Sequence, residues 1–272
     1  MSAIKQSLKK ILPPTLIRAG GQSLDALQRA KGWPEATFHP WRRDTMRRMA
    51  ALKDSRKGER CFIIGNGPSL RETDLSKLKG EFSIGMNRIY LMYPELGFST
   101  SYYLSVNDLV VEQCAADIQA LELPRFVSWR ARRWLRPEDD LYFLYTTYTG
   151  AGFQKNAAHR LWEGATVTYV AMQLAFYLGF QQVVLIGVDH NFVTQGKPNT
   201  TVVSEGDDPN HFSPSYFGKG FRWQLPDLET SELAYGMAKQ AYQAAGREII
   251  DATVGGKLRV FPRVDYNSLF HG

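Results

Sequence analysis

The stretch from Ala165 to Leu178 constrains the fold most. It places Val167, Val170, Ala171, Leu174, Ala175 and Leu178 on one side of a helix, Gly179 stops it, and Val183-Val184-Leu185-Ile186 follows at once as an apolar strand. The same punctuation returns near Ser231–Ala245, where Gly246 precedes the strand Glu248–Ile250. Further short apolar runs read as strands at Cys61–Ile64, Phe82–Gly85, Tyr102–Ser105, Arg125–Val127 and Leu141–Tyr145. Helices and strands alternating this way predict an α/β fold, a Rossmann-like, mostly parallel sheet with flanking helices. Lys57-Gly58-Glu59 reads as the linker into it, so residues 1–57 form an N-terminal helical arm and 58–272 the nucleotide-binding catalytic domain. Residues 190–227 have little periodicity and much Gly, Pro, Asn and Asp, which predicts a lid-like segment.

A chain of 272 residues, 44% hydrophobic and 22% charged, can bury about 70–75% of its unfolded surface without staples. Its two cysteines, Cys61 and Cys114, stand alone, which excludes a disulfide scaffold and a zinc ribbon. No apolar run approaches the roughly 20 residues that cross a bilayer, and the N-terminus has no secretory pattern. A cytoplasmic location is expected. The net charge of +6 is uneven: residues 1–60 hold 14 Lys and Arg against 5 Asp and Glu, +9, which leaves −3 for the rest. A basic footprint confined to the arm argues against nucleic acid as a partner. The arm carries Ile4, Leu8, Ile11 and Leu12 among Lys5, Lys9 and Lys10, then Leu16, Ile17, Leu24 and Leu27, then Trp33, Trp41 and a cluster at Arg42, Arg43, Arg47 and Arg48. Such a pattern fits either an anionic membrane surface, at the inner face, or packing on the body with a solvated basic side.

Cys61-Phe62-Ile63-Ile64 runs into Gly65-Asn66-Gly67-Pro68-Ser69-Leu70. Glycines permit positive φ and close approach to a ligand, and Ser69 with Glu72 fits a capping box. Strand, glycine turn and helix start together predict a phosphate site, although neither the dinucleotide GxGxxG nor a Walker A loop is present. Two more strands end in Gly85-Met86-Asn87 and Ser105-Val106-Asn107. In a parallel sheet all three asparagines reach the same edge, where amides suit a base or ribose, or cap turns. The last strand leads to Gly255-Gly256, which borders the nucleotide or forms a plain turn.

The run Phe62 to Leu70, with Gly85-Met86-Asn87, Ser105-Val106-Asn107 and the block Thr166 to Asp189, resembles bacterial CMP-sugar-dependent sialyltransferases and the related 6-hydroxymethylpterin diphosphokinase-like domain family. The resemblance implies a nucleotide site of Gly65, Asn66, Gly67, Ser69, Asn87, Asn107 and Thr166. It implies a general base at His211, within Asn210-His211-Phe212. The sialyltransferases carry a tyrosine pair on the donor phosphate where this chain reads Asp189-His190-Asn191-Phe192, so Tyr216, Lys219, Arg222 or His190 would have to serve.

Sugar transfer from CMP requires a held nucleotide, a stabilised leaving phosphate and a base for the acceptor hydroxyl. Free imidazole titrates near about 6.5, which suits it to that last task. The sequence contains no DxD motif, so no metal site and no tightly bound cofactor are expected. Asp189 is the best carboxylate for substrate or Mg²⁺. Three readings follow. The first is a glycosyltransferase that passes a CMP-activated acidic sugar, of the sialic acid or a related 2-keto-acid class, to a surface glycan or lipid-linked acceptor. The second is a pterin diphosphokinase-like enzyme using ATP and Mg²⁺. The third is a non-catalytic nucleotide-binding or membrane-adaptor protein.

Overall fold

The computed structural model describes residues 26–270 other than Gln28, Thr194 and Gln195. The amphipathic pattern expected over residues 4–24 therefore lies outside the described residues. Residues 29–38 are helical. Helix α1 (Pro40–Leu52) follows, opened by His39, whose Nδ1 accepts the Trp41 amide at 3.3 Å, with Pro40 at the first helical position.

The main sheet contains β1 (Arg60–Ile64), β2 (Ser83–Met86), β3 (Tyr102–Ser105), β4 (Arg125–Ser128) and β5 (Leu141–Leu144). The short helices α2 (Tyr93–Leu96), α3 (Asp108–Gln113) and α4 (Ala115–Gln119) lie between these strands. A small pair, β6 (Thr146–Thr147) and β7 (Leu161–Trp162), precedes helix α5 (Val167–Leu178) and strand β8 (Gln182–Ile186). An antiparallel pair, β9 (Thr201–Val203) and β10 (Arg222–Gln224), precedes helix α6 (Leu228–Gln243) and strand β11 (Glu248–Asp251). All seven expected strands are present, and they form one sheet in the order β11-β8-β1-β2-β3-β4-β5, parallel at every pairing.

This order sets the site. Strands β2 to β5 extend from one side of β1, whereas β8 and β11 lie on its other side. The crevice beyond the ends of β1 and β8 is therefore a topological switch point, where open α/β sheets bind ligands. The strands alternate across two apolar layers: Ile63, Leu104 and Leu185 face α5, and Phe62, Val127 and Val184 face the opposite layer. Helix α5 is apolar almost all round and correspondingly buried on nearly every side. It starts at the Thr166 cap and ends at Gly179, whose φ of 100° is left-handed, so the chain turns directly into β8.

Two boundaries differ from the sequence reading. Residues 40–57 belong to the body. On α1, Arg42, Thr45 and Met49 are buried; the Thr45 hydroxyl accepts the Phe143 amide of β5 at 3.1 Å, and the Met49 carbonyl accepts the Tyr177 hydroxyl at 2.9 Å. The basic run at Arg42–Arg48 hid an amphipathic helix that covers β5. The segment 190–227 is also packed rather than a loose lid. It buries Phe212, Tyr216, Phe217, Trp223 and Leu225, and the Phe212 amide donates to the Asn66 carbonyl at 2.9 Å. Aromatic spacing in that segment carried no period, because its side chains enter the core from turns.

Candidate functional site

A cavity of about 220 Å³ opens at the switch point. The loop after β1 supplies Gly65, Asn66 and Gly67, and β2 and β3 end there in Asn87 and Asn107. The start of α5 forms another wall with Ala165 to Thr168, and the loop after β8 adds Gly187 to Phe192. Asn210, His211, Phe217 and Trp223 close it from the 190–227 segment. The cavity thus brings Gly65, Asn66, Gly67, Asn87, Asn107, Thr166, Asp189, His190 and His211 together.

The glycine loop works differently from its expected role. Neither Gly65 nor Gly67 has positive φ. A Cβ on Gly65 would overlap the Gly187 backbone, and one on Gly67 would overlap the Asp189 carboxylate. These glycines let β1 and β8 approach each other. Ser69 is no capping residue: the turn Pro68–Glu72 is a 3-10 helix without a side-chain cap. Its hydroxyl and amide donate to Asp189, at 2.7 and 3.1 Å, so an internal carboxylate occupies the expected phosphate cradle and Ser69 lies behind the cavity wall. Burial pushes the Asp189 carboxyl above its ordinary range, and the bonds from Ser69 oppose that rise.

The asparagines divide by task. Asn66 is buried and donates from Nδ2 to the Met86 carbonyl at 3.0 Å, while its Oδ1 has no partner. Asn87 takes the left-handed conformation at φ 50°, and its Oδ1 accepts the Ser105 hydroxyl at 3.0 Å. Asn107 caps α3, accepting the Leu109 and Val110 amides at 3.0 and 3.3 Å. Thr166 caps α5 through the Thr168 amide at 3.2 Å, and its hydroxyl lies 3.4 Å from that of Tyr235.

Two imidazoles line the cavity, each held by a carboxylate. His211 Nδ1 lies 2.7 Å from Asp208 Oδ2. Asp208 also accepts the Asn210 and Phe217 amides, at 2.8 and 3.2 Å, an arrangement suited to an ionised carboxylate. Nδ1 therefore donates to Asp208, and Nε2 is left as the acceptor nitrogen. Tyr216 stacks under the imidazole at 4.0 Å between centroids and 7° between planes. On the other wall, His190 Nε2 lies 2.9 Å from Glu232 Oε1, with a side chain only 7% exposed. The second carboxylate, on α6, was invisible in sequence because it sits 42 residues from its partner.

The other expected phosphate contacts lie elsewhere. Tyr216 is fully buried, and its hydroxyl accepts the Arg88 amide at 3.2 Å. Lys219 is exposed and outside the cavity wall. Arg222 is exposed on β10 and pairs with Glu112 at 3.0 Å. Among the described residues, no Lys or Arg lines the cavity. Gly255-Gly256 forms a turn outside it. Among the described residues Asp189 is the single carboxylate on the wall, and both its oxygens accept bonds from Ser69.

Behind the Asn107 and Thr166 walls sits Arg130. Its Nε bonds both Asp108 oxygens at 2.9 Å, and its Nη2 bonds Glu163 at 2.6 Å. Desolvation raises the Glu163 carboxyl, and Arg130 pulls it back. This guanidinium ties the end of β3 to the loop before α5, so it fixes the spacing of two cavity walls.

Among curated proteins none matches this chain. Among solved structures, the fold is similar to that of a MAf glycosyltransferase from Magnetospirillum magneticum AMB-1, with a TM-score of 0.51 and 17% identity. The similarity covers 84% of this chain but only 39% of that one. The fold is thus glycosyltransferase-like. The family model for 6-hydroxymethylpterin diphosphokinase MptE-like proteins matches residues 42–195, more than half of the chain and from within α1 onward. The chain belongs to the 6-hydroxymethylpterin diphosphokinase MptE-like family.

Proposed function

We propose that this protein is a glycosyltransferase that passes an acidic sugar, of the sialic acid or a related 2-keto-acid class, from CMP to a glycan or lipid-linked hydroxyl. The observation that carries this reading is the His211–Asp208 pair on the cavity wall, 2.7 Å apart, with Nε2 left to accept a proton. The structural neighbour, a MAf glycosyltransferase, supports the same class.

In this reading the nucleotide lies along the sheet edge. Asn66, Asn87 and Asn107 face its polar atoms, and Phe217 and Trp223 offer aromatic surface. The acceptor oxygen bonds to the anomeric carbon while the bond from that carbon to the phosphate oxygen breaks. The acceptor proton moves to Nε2 of His211, and CMP leaves with the electron pair. Among the described residues no arginine or lysine lines the cavity to meet the departing phosphate. Its charge falls instead to the start of α5, a 12-residue helix with no acidic residue in its first turn, and to His190, oriented by Glu232. His190 stands in the stretch where the sialyltransferases carry a tyrosine pair.

Calorimetry with CMP, CTP, ATP and GDP, with and without Mg²⁺, tests the reading. It expects CMP binding that needs no metal. Mg²⁺-dependent ATP binding in place of CMP binding would favour the diphosphokinase alternative, and no nucleotide binding would leave only the adaptor.

A further inference from the structure

Four of the seven large apolar side chains that stand exposed among the described residues belong to the N-terminal helical segment and to one loop of the body: Leu27 at 61%, Trp33 at 52%, Phe38 at 63% and Tyr148 at 61%. Trp33 and Phe38 touch edge to face at 5.7 Å. Tyr148 precedes Thr149 on the body. Arg29 donates to the Thr149 hydroxyl at 2.8 Å, and the Arg29 carbonyl accepts the Tyr145 hydroxyl at 3.2 Å. The 29–38 helix is therefore tied through Arg29 to the 145–149 loop that carries Tyr148.

The same N-terminal segment is basic: Lys31 and Arg43 are exposed, and Arg29 is half-buried. Its acids are already taken: Glu35 pairs with Arg132 at 2.6 Å, and Asp44 with Arg47 and Arg48 at 2.6 and 2.7 Å. Arg29, Lys31 and Arg43 have no carboxylate partner among the described residues. Residues 1–60 hold 14 basic and 5 acidic residues, and the sequence before residue 13 adds Ile4, Leu8, Ile11 and Leu12 beside three lysines.

We propose that this face docks on an anionic lipid bilayer, with Trp33, Phe38, Leu27 and Tyr148 in the interfacial layer and the basic groups against lipid phosphates. Indole and phenol rings suit a boundary that is apolar on one side and wet on the other, and basic groups beside them gain from a negative surface. A second copy is a poor occupant, because a twofold contact would set this positive face against itself. The docking also bears on the cavity. The Arg130 guanidinium lies 4.3 Å over the Tyr148 ring while bonding Asp108 and Glu163, which flank the cavity residues Asn107 and Ala165. The docking itself does not rest on the transferase reading.

The test is co-sedimentation of the full chain with phosphatidylcholine vesicles, with and without phosphatidylglycerol, at low and high salt. Phosphatidylglycerol-dependent pelleting that falls with salt is expected, and about tenfold weaker binding in the Trp33→Ser/Phe38→Ser double variant and in Arg43→Glu. All three positions are exposed, so circular dichroism should match the wild type. Pelleting that ignores phosphatidylglycerol overturns the proposal. Full binding by the double variant also overturns it, by placing the contact before residue 26. A dimer that the double variant abolishes, with no vesicle binding, would assign the face to a second copy instead.

Discussion

The Asp189 carboxylate accepts the Ser69 hydroxyl at 2.7 Å and the Ser69 amide at 3.1 Å, which closes the glycine turn with a negative charge from within the protein. Ser69 thereby joins β1 to β8 and does not touch the cavity. Ser69→Ala should cost about 1.5–3 kcal/mol of stability, the range for a hydrogen bond to a charged group. CMP affinity should stay within about threefold of the wild type. Urea denaturation and calorimetry on one preparation measure both; unchanged stability with lost affinity would return Ser69 to the ligand.

The same carboxylate gives a pH signature. Burial raises its folded-state pKa above the free value of about 3.9, so its contribution to stability is fully present below that value and is lost as pH rises through the folded one. Asp189→Asn removes this cost and keeps acceptor and donor atoms toward Ser69. The melting-temperature difference, variant minus wild type, should therefore increase from about pH 4 to pH 7. Melts across that range decide the sign, and a difference that shrinks with pH would mean Asp189 is held below its free value.

These results show which physics the sequence exposed. Every strand of the main sheet was legible, because short apolar runs bounded by glycine and polar turns have few other readings. The meeting of Asn66, Asn87 and Asn107 followed from parallel strands ending on one edge. The glycine turn was recognised for the wrong reason: Gly65 is forced by the Gly187 backbone of a strand far away in sequence, which no local pattern records. Glu232 was missed altogether, since tertiary packing alone brings it to His190, 42 residues away. Charge also misled the eye at Arg42, a buried residue that donates to the Ala158 carbonyl from inside an apparently solvated basic run.

That last point makes the boundary testable. A chain beginning at Arg29 keeps the 29–38 helix and α1, and should melt as cooperatively as the full protein. A chain beginning at Gly58 loses Met49, Thr45 and Arg42 from the β5 side of the core and should aggregate on expression. Removal of buried groups of this size costs about 2–5 kcal/mol for each large side chain, enough to exhaust a typical domain's stability. A soluble, folded 58–272 fragment would show that α1 merely rests on the sheet.

The two held imidazoles should separate by kinetics. His211→Asn should retain CMP affinity and lose about 100- to 10,000-fold in kcat, the usual share of a general base. Asp208→Asn should follow it with a loss of about 100-fold or more, because an amide no longer fixes Nδ1 as the donor. Both losses should appear in kcat and not in CMP binding, since Asp208 touches the imidazole and not the nucleotide. His190→Ala and Glu232→Gln act on the departing phosphate instead. They should lower transfer most for donors with poor leaving groups, with Glu232→Gln the milder because Glu232 is exposed at 56%. Transfer and CMP affinity measured side by side for the four variants test the assignment. Full turnover in His211→Asn with none in His190→Ala would move the base to the end of β8, and full turnover in both would remove histidine from the proton transfer entirely.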